Sequence, residues 1–373
     1  MSMTTTITTT VTSNTSTHVI HSPEQLAAIF KDPIVVIRFY QFGYLFTFLL
    51  GFPGNIASLF TFSQPTLRKI STGCLFLLLA ISDTVYLLMY VLDCLEFGVQ
   101  IHFYGHGTYD QLCQFRTFVK YISQVTSAWI LAIVSVDRWI RTRFPFKAGS
   151  MCTPKKALIA VAVVLVVNMA LYSHILFPMF GTLIPGFSRA ACGPKLIYTS
   201  YSQFYLLQWG IIQIFTGCLV PAITMFTILI DISISIRVRK RMIIQPIHIS
   251  REDNNMKRQQ DLQKQMFILM FASICIFLIT SLPLAIYKII SVRQENLSLA
   301  VFHMVIILTA LTWFQSLFYA VNFYFHCLGS TLFRNEFKKQ CQRIWNTRQS
   351  QDRVMENTTA NQRIQTHIVP TKY

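Results

Sequence analysis

Charge is scarce in this 373-residue chain, where Asp, Glu, Lys and Arg together make up 13% of the residues, against roughly 25% in an average soluble domain. Acidic residues are scarcest, 15 against 32 basic ones. A soluble globular enzyme of this size is thereby disfavoured. Paired metal-ligand spacing is missing too: His102, His106, His174, His303 and His326 are scattered, so no metal, no cofactor and no intramembrane enzyme chemistry is implied. No internal repeat relates the two halves, which weighs against a transporter. The opening residues lack the basic n-region and apolar h-region of a signal peptide, so the first apolar stretch is expected to act as its own insertion signal.

What the chain has instead is long apolar runs, with 53% hydrophobic residues and a mean hydropathy of +0.47. Crossing a hydrocarbon core about 30 Å thick takes about 20 mostly apolar residues. Seven stretches qualify: Ile34 to Phe62, Thr72 to Leu95, Leu112 to Arg141, Ala157 to Phe180, Phe204 to Ile234, Met266 to Ile290 and Leu299 to Phe325. Lipid offers the backbone no hydrogen-bond partner, so each must be a helix. The fold class is therefore an all-α membrane protein, a seven-helix bundle.

The net charge of +17 invites a nucleic-acid reading, but the basic residues crowd into short connections. The segments joining spans one to two, three to four and five to six carry Arg68 and Lys69, then Arg141, Arg143, Lys147, Lys155 and Lys156, then a run from Arg237 to Lys264. Lys and Arg collect on the cytoplasmic side, which puts the N-terminus outside and makes the bilayer, not nucleic acid, the partner. Residues 1–33 form a Thr/Ser-rich outer tail with a glycosylation sequon at Asn14; Asn296 carries another, and Asn357 falls inside. Most cysteines lie within spans and read as small core residues. Cys113 and Cys192 lie outside, where oxidation permits a bridge; two free thiols are the alternative.

Asp137-Arg138-Trp139 ends the third span, and a charged pair at that depth is expensive unless it has a function. With Gly54-Asn55, Leu79-Ala80-Ile81-Ser82-Asp83, Cys113, Pro221, Pro283 and Asn322, it forms an ordered set of landmarks on separate spans. The set resembles the rhodopsin-like (class A) G-protein-coupled receptor family over about residues 34 to 340, most like its peptide-receptor branch. The resemblance implies a plasma-membrane receptor that binds an extracellular ligand and activates a heterotrimeric G protein. It also implies a Cys113–Cys192 disulfide, a switch made of Asp137, Arg138, Trp139, Phe277, Pro283 and Asn322, and a polar core or sodium-like site of Asn55, Asp83 and Asn322. A hydrogen-bonded cluster without an ion is the other reading of that core.

The chain departs from the family pattern at several switch positions. Trp139 stands for tyrosine, Thr280-Ser281-Leu282-Pro283 for the usual tryptophan motif, and Asn322-Phe323-Tyr324-Phe325-His326 for the end of span seven. The usual span-four tryptophan is absent, Leu229 replaces a tyrosine, and Gln263, with Asp261 nearby, stands where a span-six acid often restrains the arginine. A loosened switch with ligand-independent signalling is expected. Pro283 removes a backbone donor within span six and favours a kink that lets the inner end swing.

In the outer half, Arg116, Lys120 and Gln124 recur every four residues and share a helix face, with Asp93 and Glu96 at the end of span two. Two readings stay open: internal pairing of these charges, or direct ligand contact. Lys120 stands where amine receptors carry aspartate, so the resemblance favours a ligand with an acidic or carbonyl-rich end. Tyr287, Lys288, Gln315 and Tyr319 complete the candidate pocket, and Ser316 replaces the retinal lysine of opsins. A peptide ligand is expected, with a lipid or small molecule as the alternative and a transporter or channel behind both. Residues 34–328 thus form the bundle and 329–343 an amphipathic helix on the inner surface. Cys327 and Cys341 there are open to palmitoylation. Residues 344–373 read as an unstructured tail with sparse Ser and Thr for arrestin.

Overall fold

The computed structural model describes residues 34–99, 101, 109–182, 192–195, 197–242, 252–291, 299–329 and 331–367. Asn14 and Asn296 lie outside them, as do the side chains of Asp261, Gln263 and His326. Among the described residues seven helices are long and apolar enough to span a membrane. They are α1 (Ile34–Phe62), α2 (Ser71–Gly98), α3 (Tyr109–Arg143), α4 (Pro154–Leu176) and α5 (Thr199–Ser235), then the spans Met270–Ile290 within α6 (Glu252–Ser291) and Ile306–Gly329 within α7 (Leu299–Gly329). Their ends agree with the hydropathy boundaries to within about five residues, α7 starting at Leu299 as expected, except at the start of α6, which lies at Glu252 and not at Met266.

Span four was expected to run to Phe180, yet α4 stops at Leu176. Phe177 has ψ 155° because the ring of Pro178 disfavours a helical residue before it. Phe180–Thr182 (β1) then pairs antiparallel with Cys192–Pro194 (β2), Thr182 opposite Cys192. Gly181 sits at φ 153°, a backbone conformation that favours glycine, and a Cβ there would displace the Asp110 carboxylate, whose Oδ1 it would meet at 2.7 Å.

Burial is uneven among the helices. The most apolar window of α3 is 61% buried, that of α4 only 22%. Leu158, Ile159, Val163, Val166 and Val167 of α4 are exposed, as expected of a face turned to lipid rather than to protein. Helix α3 is the axle, with Ser127, Ala128, Ile130, Leu131 and Val134 buried among α2, α5 and α6. Helices α1 and α7 approach closely at Gly51, where a Cβ would meet Ala320 Cα at 2.6 Å.

After α7 the chain turns into α8 (Thr331–His367). Phe333 is buried against Phe62, ring centroids 4.9 Å apart, and Phe337 lies 5.4 Å from Phe323. These rings seat the first turns of α8 on the Phe62 end of α1 and the Gly329 end of α7. The helix continues past residue 343, where composition predicts an unstructured tail. Residues 331–367 contain neither proline nor glycine, so no strong breaker interrupts helix propagation.

Candidate functional site

At the Arg143 end of α3, Asp137 is surrounded by donors. Ser71 donates to its Oδ1, Thr72 to Oδ2 at 2.8 Å, and Arg141, one turn along α3, to Oδ2 at 3.0 Å. Arg138 Nε is 4.0 Å from the same carboxylate, while its Nη2 donates to Thr72 Oγ1. The arginine is thus held by the start of α2 at least as much as by its neighbouring aspartate. Arg141 also reaches Ser71 Oγ at 2.8 Å and the Cys152 carbonyl at 3.1 Å. Burial pushes the Cys152 thiol up to about 11, so at neutral pH it stays protonated and donates to the Asp137 carbonyl.

On the far side of α3, Trp139 Nε1 donates to Asp231 Oδ2 on α5 at 2.7 Å, and Arg143 Nη1 to Ser235 Oγ at 3.3 Å. Phe277 is buried and meets Phe318 edge-on at 5.4 Å. Pro283 lies inside α6 without ending it.

In mid-bundle, Asp83 is fully buried. Ser127 Oγ donates to one oxygen at 2.7 Å and Asn322 Nδ2 to the other at 2.6 Å. A buried carboxylate keeps its place only when so bonded. Asn55 does not join this cluster: its Nδ2 donates to the Tyr319 carbonyl at 3.1 Å, fastening α1 to α7. The side chain of Tyr319 packs on Tyr86 at 3.9 Å.

Toward the Tyr109 end of α3, Arg116 and Lys120 share Asp93, at 3.1 and 2.9 Å, and Arg116 also pairs with Glu96. Arg116 lies over Phe97 and Lys120 over Tyr90, at 5.2 and 4.7 Å to the ring centroids. Of the two readings open for this basic face, the geometry displays internal pairing: two cations balanced by two carboxylates. Next to it is a small cavity lined by Tyr121, Gln124, Gln213, Ser281, Lys288 and Gln315 among its polar side chains. Gln124 Nε2 donates to Gln315 Oε1 at 3.1 Å, and Gln315 Nε2 to Ser281 Oγ at 3.4 Å. Of the candidates read from sequence, Gln124, Lys288 and Gln315 line the cavity; Arg116, Lys120, Tyr287 and Tyr319 do not.

At the Tyr109 end of α3 a Cys113–Cys192 disulfide, Cα atoms 5.7 Å apart, ties β2 to α3. Gln114 Nε2 adds a bond to the Phe180 carbonyl at 2.8 Å, and Lys195 a salt bridge to Asp110 at 2.7 Å. Cys327 is half-buried and Cys341 exposed.

These features fall in the order of the landmarks of one family, and the profile of the 7 transmembrane receptor (rhodopsin family) matches residues 54–322. The chain belongs to that family. This rhodopsin-family receptor is 26% identical to the human cysteinyl leukotriene receptor 2, over 50% of the chain and 52% of that protein. It is 32% identical to the human galanin receptor type 3, over 46% and 48%, and 26% identical to the rat chemerin-like receptor 2, over 49% and 50%. The match thus spans about half the length of each relative. Membership makes the receptor a multi-pass membrane protein of a class that is not one of enzymes.

Sequence reading did not reach Asp231, Tyr121, Gln213 or the Ser71-Thr72 pair. One signal was there to be used. Asp231 is the sole carboxylate between Phe204 and Ile234, and an intramembrane carboxylate is a functional candidate by default.

Proposed function

We propose that the chain is a plasma-membrane receptor, N-terminus outside, that binds an extracellular peptide in the outer cavity and promotes nucleotide exchange on a heterotrimeric G protein at its inner face. The carrying observation is the cavity lining: one cation, Lys288, three side-chain amides and no carboxylate. Each glutamine offers both donors and an acceptor, which suits the repeating carbonyl and N–H groups of a peptide end. Lys288 suits a carboxylate. Lys288 is the one cation in the lining of that cavity, so the acidic end of a ligand is assigned to it. At the inner face, Arg138 is the group offered to the G protein when α6 swings about Pro283. Arrestin is assigned to the Ser and Thr residues of the tail.

A second reading, a small anionic lipid, is favoured by the similarity to cysteinyl leukotriene receptors. A library of secreted peptides and a panel of lipid carboxylates, each screened for G-protein nucleotide exchange with Arg138→Ala as control, separates the two. A peptide hit that Lys288→Gln weakens roughly 10- to 100-fold, the size of a lost charge-assisted bond, supports the first reading. A response to lipids alone supports the second. Ion flux in liposomes with no exchange on any G protein overturns both.

A further inference from the structure

We infer that Asp231 is a positioning residue for Arg138, acting through the indole of Trp139, and that it holds the inner end of α3 in the rotation that keeps Arg138 engaged within the bundle. The inference rests on the receptor reading above. Two ties face the same way. Trp139 donates to Asp231 at 2.7 Å and, four residues on along each helix, Arg143 donates to Ser235 at 3.3 Å. Positions four apart share a helix face, so the ties form a short ladder between α3 and α5. The indole is further fixed by the ring of Phe144, edge-on at 5.7 Å.

On the other side, Asp137 is tied to Ser71 and Thr72 of α2. With 3.6 residues per turn, successive side chains point about 100° apart, so Asp137 and Trp139 leave α3 on nearly opposite faces with Arg138 between them. Arg138 is fastened to Thr72. Any turn of α3 that carries Arg138 away from Thr72 strains the ladder on one side or the Asp137 bonds on the other. Tryptophan at 139 is what lets the α5 tie exist in this form, because its N–H reaches across to the carboxylate. Asp231 in turn is a carboxylate at membrane depth, a placement that needs a donor, and Trp139 supplies one. The departure from the family pattern at 139 and the lone acid of span five are thus one device.

The test compares wild type, Asp231→Ala, Asp231→Asn, Trp139→Phe and the Asp231→Ala/Trp139→Phe double variant, as full chains in nanodiscs, for ligand-free nucleotide exchange on the G proteins. Asp231→Ala and Trp139→Phe are each expected to raise basal exchange roughly 10- to 100-fold, the scale of one hydrogen bond to a charged group. The double variant should rise no further than the larger single, and Asp231→Asn, which keeps an oxygen acceptor, should stay nearer wild type. Additive singles, or singles with unchanged basal exchange in a wild type that does couple, overturn the inference. The second readout needs no G protein. In protein carrying 15N-tryptophan, the indole proton of Trp139, assigned by its loss in Trp139→Phe, should move upfield in Asp231→Asn. If wild type is silent with every G protein, the coupling reading fails and the indole signal judges the tie: a shift supports it, and an unmoved signal sinks it.

Discussion

Replacing Asp93 by asparagine preserves its shape and removes one charge from the outer cluster, so the effect can be worked from the geometry. Asp93 accepts Arg116 Nε at 3.1 Å and Lys120 Nζ at 2.9 Å. The side chains of Asp93 and Arg116 are 3% and 4% exposed, and that of Lys120 is 22% exposed. Removing one member of a buried pair strands its partner and costs about 3–5 kcal/mol. Arg116 retains Glu96 and Lys120 has a route to water, so the lower end, about 3 kcal/mol, is the working figure. In a chain of 373 residues that lowers the melting temperature by about 4 °C. The assay is thermal unfolding of the detergent-solubilised protein without ligand. Lys120→Gln, which leaves Asp93 with Arg116, should cost only about 1 kcal/mol. Adding Lys120→Gln to Asp93→Asn restores neutrality and should recover part of the loss. If Asp93→Asn melts with the wild type, or if the second change lowers the melting point further, the cluster is hydrated and the argument from burial is refuted.

Other outcomes follow from packing and covalent constraint. Gly51→Ala pushes a methyl group to within 2.6 Å of Ala320 Cα, and forcing α1 from α7 should destabilise by about 1–3 kcal/mol, read as a lower melting point. Cys192→Ser opens a bridge between residues 79 apart, which should cost about 4 kcal/mol; a variant that unfolds with the wild type on heating would show the hairpin to be held by Gln114 and Lys195 alone. Asn322→Ala leaves Asp83 with Ser127 as its remaining donor among the bonds described above and should cost about 1–3 kcal/mol, whereas Asp83→Asn/Asn322→Asp, which exchanges the two groups, should recover part of it.

The bundle was legible because lipid imposes one rule on every span: about 20 apolar residues in a helix. The α8 start was legible for a similar reason, Phe333 and Phe337 standing out in a polar run. Contacts between spans were legible only where a chemical shortage announced them. Arg116 and Lys120, lying opposite Asp93 and Glu96, had few other charges to meet, so pairing was one of the two readings from the start. Asp83 with Asn322 was reachable through the family resemblance. The β1–β2 hairpin was not, since three-residue strands carry no periodic signal. Nor was the bond from Trp139 to Asp231, whose partners lie 92 residues apart, because a hydrogen bond between helices depends on their relative rotation. Tyr319 shows the converse: a polar tip near the outer half suggested a pocket, but the ring is used to pack on Tyr86.

The unequal burial of α3 and α4 has a consequence for how this gene product is free to drift. On α4, where most of the apolar window faces lipid, exchanges among Leu, Ile, Val and Met alter little beyond the contact with acyl chains. On α3 nearly every such exchange meets a neighbouring helix, and its small buried residues, Ser127, Ala128, Ala132 and Ser135, leave no room for growth. A saturation library scored for surface abundance should therefore show two adjacent helices with opposite tolerance, and α3 should be the one that hardly changes.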